Sequence, residues 1–216
     1  MKAPNFFNNQ IDGWAINESI ENSDNNQENP SIVKSNNNHI YFYSNVEKKS
    51  CLDLNKLLLD TTEELLQISH KYGFNKNEFS YNKPKIYLHI NSYGGSLISA
   101  ISSMDTIQTL KDSVDIITII EGGCASAATL LSIVGTKRLI TKNSFILIHQ
   151  ISSQLYGKYN ELVDDMKNCD TFMNLIKKIY SEYSEVPTNE IDKILKHDIW
   201  WDADVCLKYK LVDKII

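Results

Sequence analysis

Between Lys85 and Gly135 the chain reads KIYLHIN, SLISAISSMDTIQTL, DIITIIE and SAATLLSIVG, so a strand-like run and a helix-like run alternate twice with short links. No other feature restricts the fold as much. Parallel neighbours cannot be joined by a tight turn; they need a crossover, and such crossovers are right-handed. The alternation therefore argues an α/β domain in which helices cover a mainly parallel sheet. HIYFYSNV (39–46) extends the pattern as a further strand. LDLNKLLLDTTEELLQISHKYG (52–73) adds a helix, with leucines at helical spacing and Gly73 available as a C-cap.

RLIT and SFILIHQ follow as two more short strands. From Asn160 to Tyr180, apolar residues recur at Leu162, Met166, Cys169, Met173, Ile176 and Tyr180, the steps of four and three that make a long amphipathic helix. Pro187 ends that pattern, and Thr188 is the expected N-cap of a shorter helix through His197. Another short helix and the strand-like LVDKII close the chain, and no internal repeat is visible.

The 216 residues suffice for one domain with its own core. Hydrophobic residues at 42% and charged residues at 23% are ordinary globular values, and a net charge of -5 gives no field that attracts nucleic acid or an acidic membrane. The four cysteines, Cys51, Cys124, Cys169 and Cys206, lack the spacing of a zinc site and are expected to be buried free thiols in a reducing compartment. The opening MKAPNFFNNQIDGW has no apolar leader core, and no apolar run approaches the roughly 18 residues that span a bilayer. A soluble, cytoplasmic protein is the expectation. Glu18 to Asn38 is rich in Asn, Ser and Glu and too poor in apolar residues to offset chain entropy. The expected division is thus a mobile arm over 1–38, whose Phe6, Phe7 and Trp14 could dock on a neighbour, and a folded domain over 39–216.

Chemistry concentrates in EGGCASAATLL (121–131), where Gly122, Gly123, Cys124, Ala125, Ala127 and Ala128 surround Ser126. A serine hydroxyl needs a base to take its proton and donors for the oxyanion it creates. If Ser126 opens a helix directly after DIITIIE, the helix N-terminus supplies free N–H groups, and small neighbours let a substrate backbone approach. Close helix-to-sheet packing asks for the same small residues, so this string alone does not choose. INSYGG (90–95) is a second glycine feature at a strand end that opens a helix, and it brings a second set of amides toward one site.

Histidine is the natural base near neutral pH. His39 and His70 lie in polar surroundings, His89 is within a strand, and His197 is on a helix beside Asp198. His149 ends the apolar strand SFILIHQ, where side chains reach the rim of an α/β sheet; a lone histidine in that place is more often a satisfied structural residue.

Taken together, NSYGG before MDTIQ, CASAATLLSIVG, LIHQ and DIWWDADVCLKYKLVD make the chain from about His39 onward resemble the proteolytic subunit of the Clp protease. That is the ClpP family of serine peptidases on the ClpP/crotonase fold. The resemblance implies Ser126 as nucleophile, His149 as general base, Asp198 as the carboxylate that orients the imidazole, and the backbone amides of Gly95 and Ala127 as the oxyanion hole. It also implies stacked sheets with a protruding strand-and-helix handle over about residues 150–182, which mates with an opposing ring.

The implied activity is endopeptidase cleavage of unfolded polypeptide through an acyl-enzyme, inside stacked heptameric rings of identical subunits. No metal or cofactor would be held by this chain, and no nucleic acid or membrane would be bound. ATP would be used by a separate Clp-type unfoldase, since no P-loop glycine pattern is present. Alternatives are a maturation-type protease of the same fold without an unfoldase, a non-catalytic ring subunit, and a crotonase-type acyl-CoA enzyme. Departures from the family pattern are Tyr93 for proline, Ala127 for methionine, Lys210 for glycine, a longer link before KIYLHIN, and the Asn-rich arm.

Overall fold

The computed structural model of the chain describes residues 32–71 and 83–216. In chain order the elements are β1 (Ile32–Asn36), β2 (His39–Tyr43), α1 (Lys48–Lys71), β3 (Lys85–Ser92), α2 (Leu97–Leu110), β4 (Asp115–Ala125), α3 (Ala128–Ile133), β5 (Lys137–Ile140), β6 (Phe145–Leu147), α4 (Tyr159–Tyr183), α5 (Ile191–Leu195), β7 (Trp200–Trp201), α6 (Ala203–Lys208) and β8 (Lys214–Ile215). The fold is mixed α/β with a mainly parallel sheet, as the alternation demands. Strands run in the order β1-β2-β3-β4-β5-β8, parallel throughout except for the β1–β2 hairpin.

One core lies between sheet and helices. Ile40, Phe42, Ile86, Leu88, Ile90, Ile116 and Ile120 meet Leu54 and Leu58 of α1, Leu97, Ala100 and Ile107 of α2, and Leu130 and Leu131 of α3. Each such aliphatic side chain contributes about 1.5–3 kcal/mol by leaving water.

The element that places the chemistry is β4. Its Ile117–Ile120 pair with β5, whereas its Gly123–Ala125 pair with Phe145–Leu147 of β6, which in turn carries β7 antiparallel. Gly122 stands between the two partners at φ +84°, a backbone state that side chains disfavour. The strand changes partner there and delivers Ser126 at its far end.

Several boundaries differ from the sequence expectation. Ahead of His39, the described residues already include a strand, β1, which forms a complete ladder with β2 from Ile32↔Tyr43 to Asn36↔His39. Backbone pairing with an available edge holds a segment whose side chains could not, and Asn37 takes the left-handed turn position at φ 55°. Residues 1–31, with Phe6, Phe7 and Trp14, and residues 72–82, with the Gly73 cap, lie outside the described residues.

Thr188 does not cap α5. Glu190 precedes that helix, and the Pro187 carbonyl accepts the Glu190 and Ile191 amides instead. α4 runs from Tyr159 to Tyr183, but only its second half enters the core: Ile176, Ile179 and Tyr180 are buried while Met166 is 55% exposed. The strand of the expected handle does not form; residues 150–158 are neither helix nor strand, since a lone segment without a partner edge has no ladder to join. The four cysteines are free, with Cys51, Cys124 and Cys206 buried and Cys169 partly so. Among the described residues no helix is long and apolar enough to cross a membrane.

Candidate active site

Ser126 follows the last residue of β4 and precedes α3 by one residue, so it sits on a strand–turn–helix corner. It does not open the helix. It adopts φ 55°, one of three non-glycine residues described with positive φ. A left-handed L-residue costs on the order of 1 kcal/mol or more and persists only where its surroundings hold it. Here the Ser126 N–H donates to the Leu147 carbonyl of β6 at 2.9 Å, while its own carbonyl accepts the Thr129 N–H at 3.0 Å and the Thr129 hydroxyl at 2.6 Å.

His149 lies two residues beyond the end of β6 rather than within it. Its Nε2 is 2.9 Å from Ser126 Oγ, and its Nδ1 is 2.7 Å from Asp198 Oδ1. The β6–β7 ladder explains the second contact. Leu147 pairs with Trp200, and the same antiparallel register carried two residues further sets His149 opposite Asp198. An ionised carboxylate only accepts, so the ring's hydrogen belongs on Nδ1, which leaves Nε2 to receive the serine proton. Ser126 and His149 are buried at 1% and 5% exposure, whereas the Asp198 side chain is 67% exposed.

Two neighbouring carboxylates are engaged elsewhere. Asp192 pairs with Lys177 at 2.5 Å, and Asp202 caps α6 by accepting the Val205 N–H at 2.9 Å. His197 is exposed and not part of the chain of bonds.

The second glycine feature closes over the serine. Gly94 and Gly95 have φ of 100° and 142°. A methyl group on Gly94 would meet Ser126 Cβ at 2.7 Å, the Ala125 carbonyl at 2.8 Å and the Ala127 nitrogen at 3.1 Å, so only glycine lets the loop rest on the corner. Gly95 itself is bridged to Val46, whose backbone leaves no room for a Cβ. Neither the Gly95 nor the Ala127 N–H donates to an acceptor among the described residues. Two unspent donors flanking a buried hydroxyl are suited to a developing negative charge.

Tyr93 projects outward, 53% exposed, with its ring edge-on to Trp200 at 5.9 Å. Trp201 stacks on Tyr209 at 4.8 Å, so both tryptophans work in packing and in the β6–β7 ladder.

The sequence gives no sign that Leu147 and Thr129 fix the Ser126 backbone, and it marks Tyr180 only as a member of an apolar stripe, not as the partner of Thr129. In sequence, His39 and His89 also stand apart, although the structure joins them in a bonded chain with Glu121 and Tyr43. The signal was present as strand alternation: His39, Tyr41, Tyr43, Tyr87 and His89 all lie on the face opposite Ile40, Phe42, Ile86 and Leu88. Among the described residues no cluster of His, Cys, Asp or Glu converges to hold a metal ion.

Comparison with known proteins covers the part of the chain that carries this geometry. Residues 85–216 contain Ser126, His149, Asp198 and both glycines, and the family model described as Clp protease matches residues 77–216. A stretch of 133 residues is 34% identical to the ATP-dependent Clp protease proteolytic subunit 2 of Frankia casuarinae; it covers 61% of this chain and 60% of that relative's length. With the family match extending over well over half of its residues, the chain belongs to the Clp protease family.

Proposed function

We propose that the chain is a ClpP-like serine endopeptidase acting on unfolded polypeptide. One observation carries this reading: Asp198, His149 and Ser126 form a continuous hydrogen-bonded chain that ends beneath two uncommitted backbone donors. Ser126 Oγ attacks the scissile carbonyl as His149 Nε2 takes its proton, and Asp198 holds the tautomer and stabilises the imidazolium. The Gly95 and Ala127 amides receive the oxyanion, where one donor is worth about 10²–10³ in turnover. Collapse breaks the C–N bond, His149 protonates the leaving amine, and water attacks the acyl-serine by the same route in reverse.

The reading extends to assembly. α4 and the segment before it present Tyr156 at 81%, Tyr159 at 80% and Met166 at 55% exposure, apolar surface suited to another copy of the chain in stacked rings. A separate ATPase would unfold and deliver substrates, in keeping with the words ATP-dependent in the name of the Frankia casuarinae relative.

The test uses the purified chain, a short fluorogenic peptide, a stably folded protein and a fluorophosphonate label. The expected result is hydrolysis of the peptide alone, with labelling at Ser126, and loss of both in Ser126→Ala with the fold and sedimentation unchanged. Peptide hydrolysis that survives Ser126→Ala, or no hydrolysis and no labelling in the parent, would overturn the reading.

A further inference from the structure

We propose that Tyr180 and Thr129 form a buried brace that aims the Ala127 N–H into the oxyanion site, which makes them positioning residues for the peptidase reading on which this rests. The argument begins with the peptide group between Ser126 and Ala127. A trans peptide is planar and stiff, and its C=O and N–H point in opposite directions. Whatever holds the Ser126 carbonyl therefore sets where the Ala127 N–H points.

Two donors hold that carbonyl. The Thr129 N–H at 3.0 Å is the bond that any helical first turn offers, but the Thr129 hydroxyl at 2.6 Å is an addition. A threonine hydroxyl has one hydrogen, and here it is spent on Ser126. The 2.6 Å contact between Thr129 Oγ1 and the Tyr180 hydroxyl must then be donated by the tyrosine. The direction is Tyr180 to Thr129 to Ser126, and donation into Thr129 polarises its hydroxyl and strengthens the last bond.

Tyr180 is fully buried and Thr129 is 2% exposed, so water does not compete with either bond. Burial also pushes the Tyr180 phenol well above its usual range and keeps its proton in place. The tyrosine reaches the corner from α4, 51 residues further along the chain, and Thr129 is the one hydrogen-bond partner of its hydroxyl among the described residues. The brace opposes a real cost, the left-handed Ser126 backbone at φ 55°. The Leu147 carbonyl secures the amide side of that residue and the brace secures the carbonyl side.

The experiment measures peptide hydrolysis, melting temperature and affinity for a peptide boronate in the parent, Thr129→Val, Tyr180→Phe, the double variant, Thr129→Ser and Ser126→Ala. Either single apolar variant should lower kcat about tenfold, less than outright loss of an oxyanion donor, with KM near the parental value. Boronate affinity should fall in proportion to kcat/KM. The double variant leaves no unsatisfied hydroxyl, so its melting temperature should return toward that of the parent while kcat stays low. Thr129→Ser keeps the hydroxyl and should stay near parental turnover.

Recovery of kcat together with melting temperature in the double variant would show a merely structural pair and overturn the proposal. So would parental kcat in both single variants while Ser126→Ala is inactive. Undiminished turnover in Ser126→Ala would instead sink the peptidase reading, and the brace with it.

Discussion

Among the described residues a histidine is set against a carboxylate at His149 and again at His89, and the two arrangements use the ring in the same way. His149 turns Nδ1 to Asp198 at 2.7 Å and Nε2 to Ser126 at 2.9 Å; His89 turns Nδ1 to Glu121 at 2.9 Å and Nε2 to His39 Nδ1 at 2.9 Å. The difference lies in what comes next. In the first chain it is a hydroxyl on a left-handed residue flanked by the uncommitted Gly95 and Ala127 amides. In the second it is another imidazole, stacked on Tyr87 at 4.6 Å, while His89 stacks on Tyr41 at 4.5 Å and the Tyr43 hydroxyl donates to the other Glu121 oxygen. The second chain links the side chains of β2, β3 and β4 across one face of the sheet and offers no nucleophile. A histidine–carboxylate pair is thus a general means of fixing a tautomer; the backbone around the third group decides whether it can do chemistry.

The largest effect should come from neutralising one carboxylate at a time without changing its shape. Asp198→Asn removes the acceptor that orients His149 and should cost on the order of 10⁴ in turnover. Glu121→Gln should leave turnover within about threefold and instead lower unfolding stability by about 1 kcal/mol, through loss of a charged hydrogen-bond acceptor. Kinetics on a short peptide, with urea unfolding alongside, would show the comparison to be false if the two variants behaved alike.

A smaller loss is expected from Gly94→Ala, which tests the backbone half of the distinction. The new methyl would meet Ser126 Cβ and the Ala125 carbonyl inside 3 Å, at a φ of +100° that alanine rarely adopts. Turnover should drop by about 10²-fold, as when an oxyanion donor is lost, with all three side chains of the Ser–His–Asp chain intact. Near-parental kinetics would mean that the side chains suffice without the glycine loop.

The smallest effect belongs to Tyr43 and is read by phenolate absorbance. Burial first, and then its bond to Glu121, push the phenol from 10.0 up to about 12. The native state holds this proton more tightly than the unfolded chain, so the associated stability is complete below the unfolded value near 10 and is lost as pH rises through about 12. In Glu121→Gln the native midpoint should move down toward 10, and a midpoint that did not move would show that burial alone sets it.

Much of the site is legible residue by residue. Small residues around Ser126, a glycine pair at the end of β3 and a histidine after an apolar run are local patterns, and their chemistry follows from residue type. That Asp198, and not Asp192 or Asp202, faces His149 cannot be read from local pattern; it follows from the β6–β7 register, while Asp192 pairs with Lys177. β1 was hidden because edge pairing depends on a neighbour rather than on composition, and His89 because alternation names a face without saying what shares it.

By itself, then, the sequence determined what short-range periodicity and residue chemistry can carry: an alternating α/β order, a parallel sheet, glycines where side chains cannot fit, and a serine with a histidine to serve it. The tertiary structure alone decided which groups meet across 49 residues at Asp198, 51 at Tyr180 and 32 at Glu121. The physical reason is range. Helix and strand preferences act over a few neighbouring residues, whereas hydrogen bonds between distant side chains exist only after burial and strand register have brought their elements together.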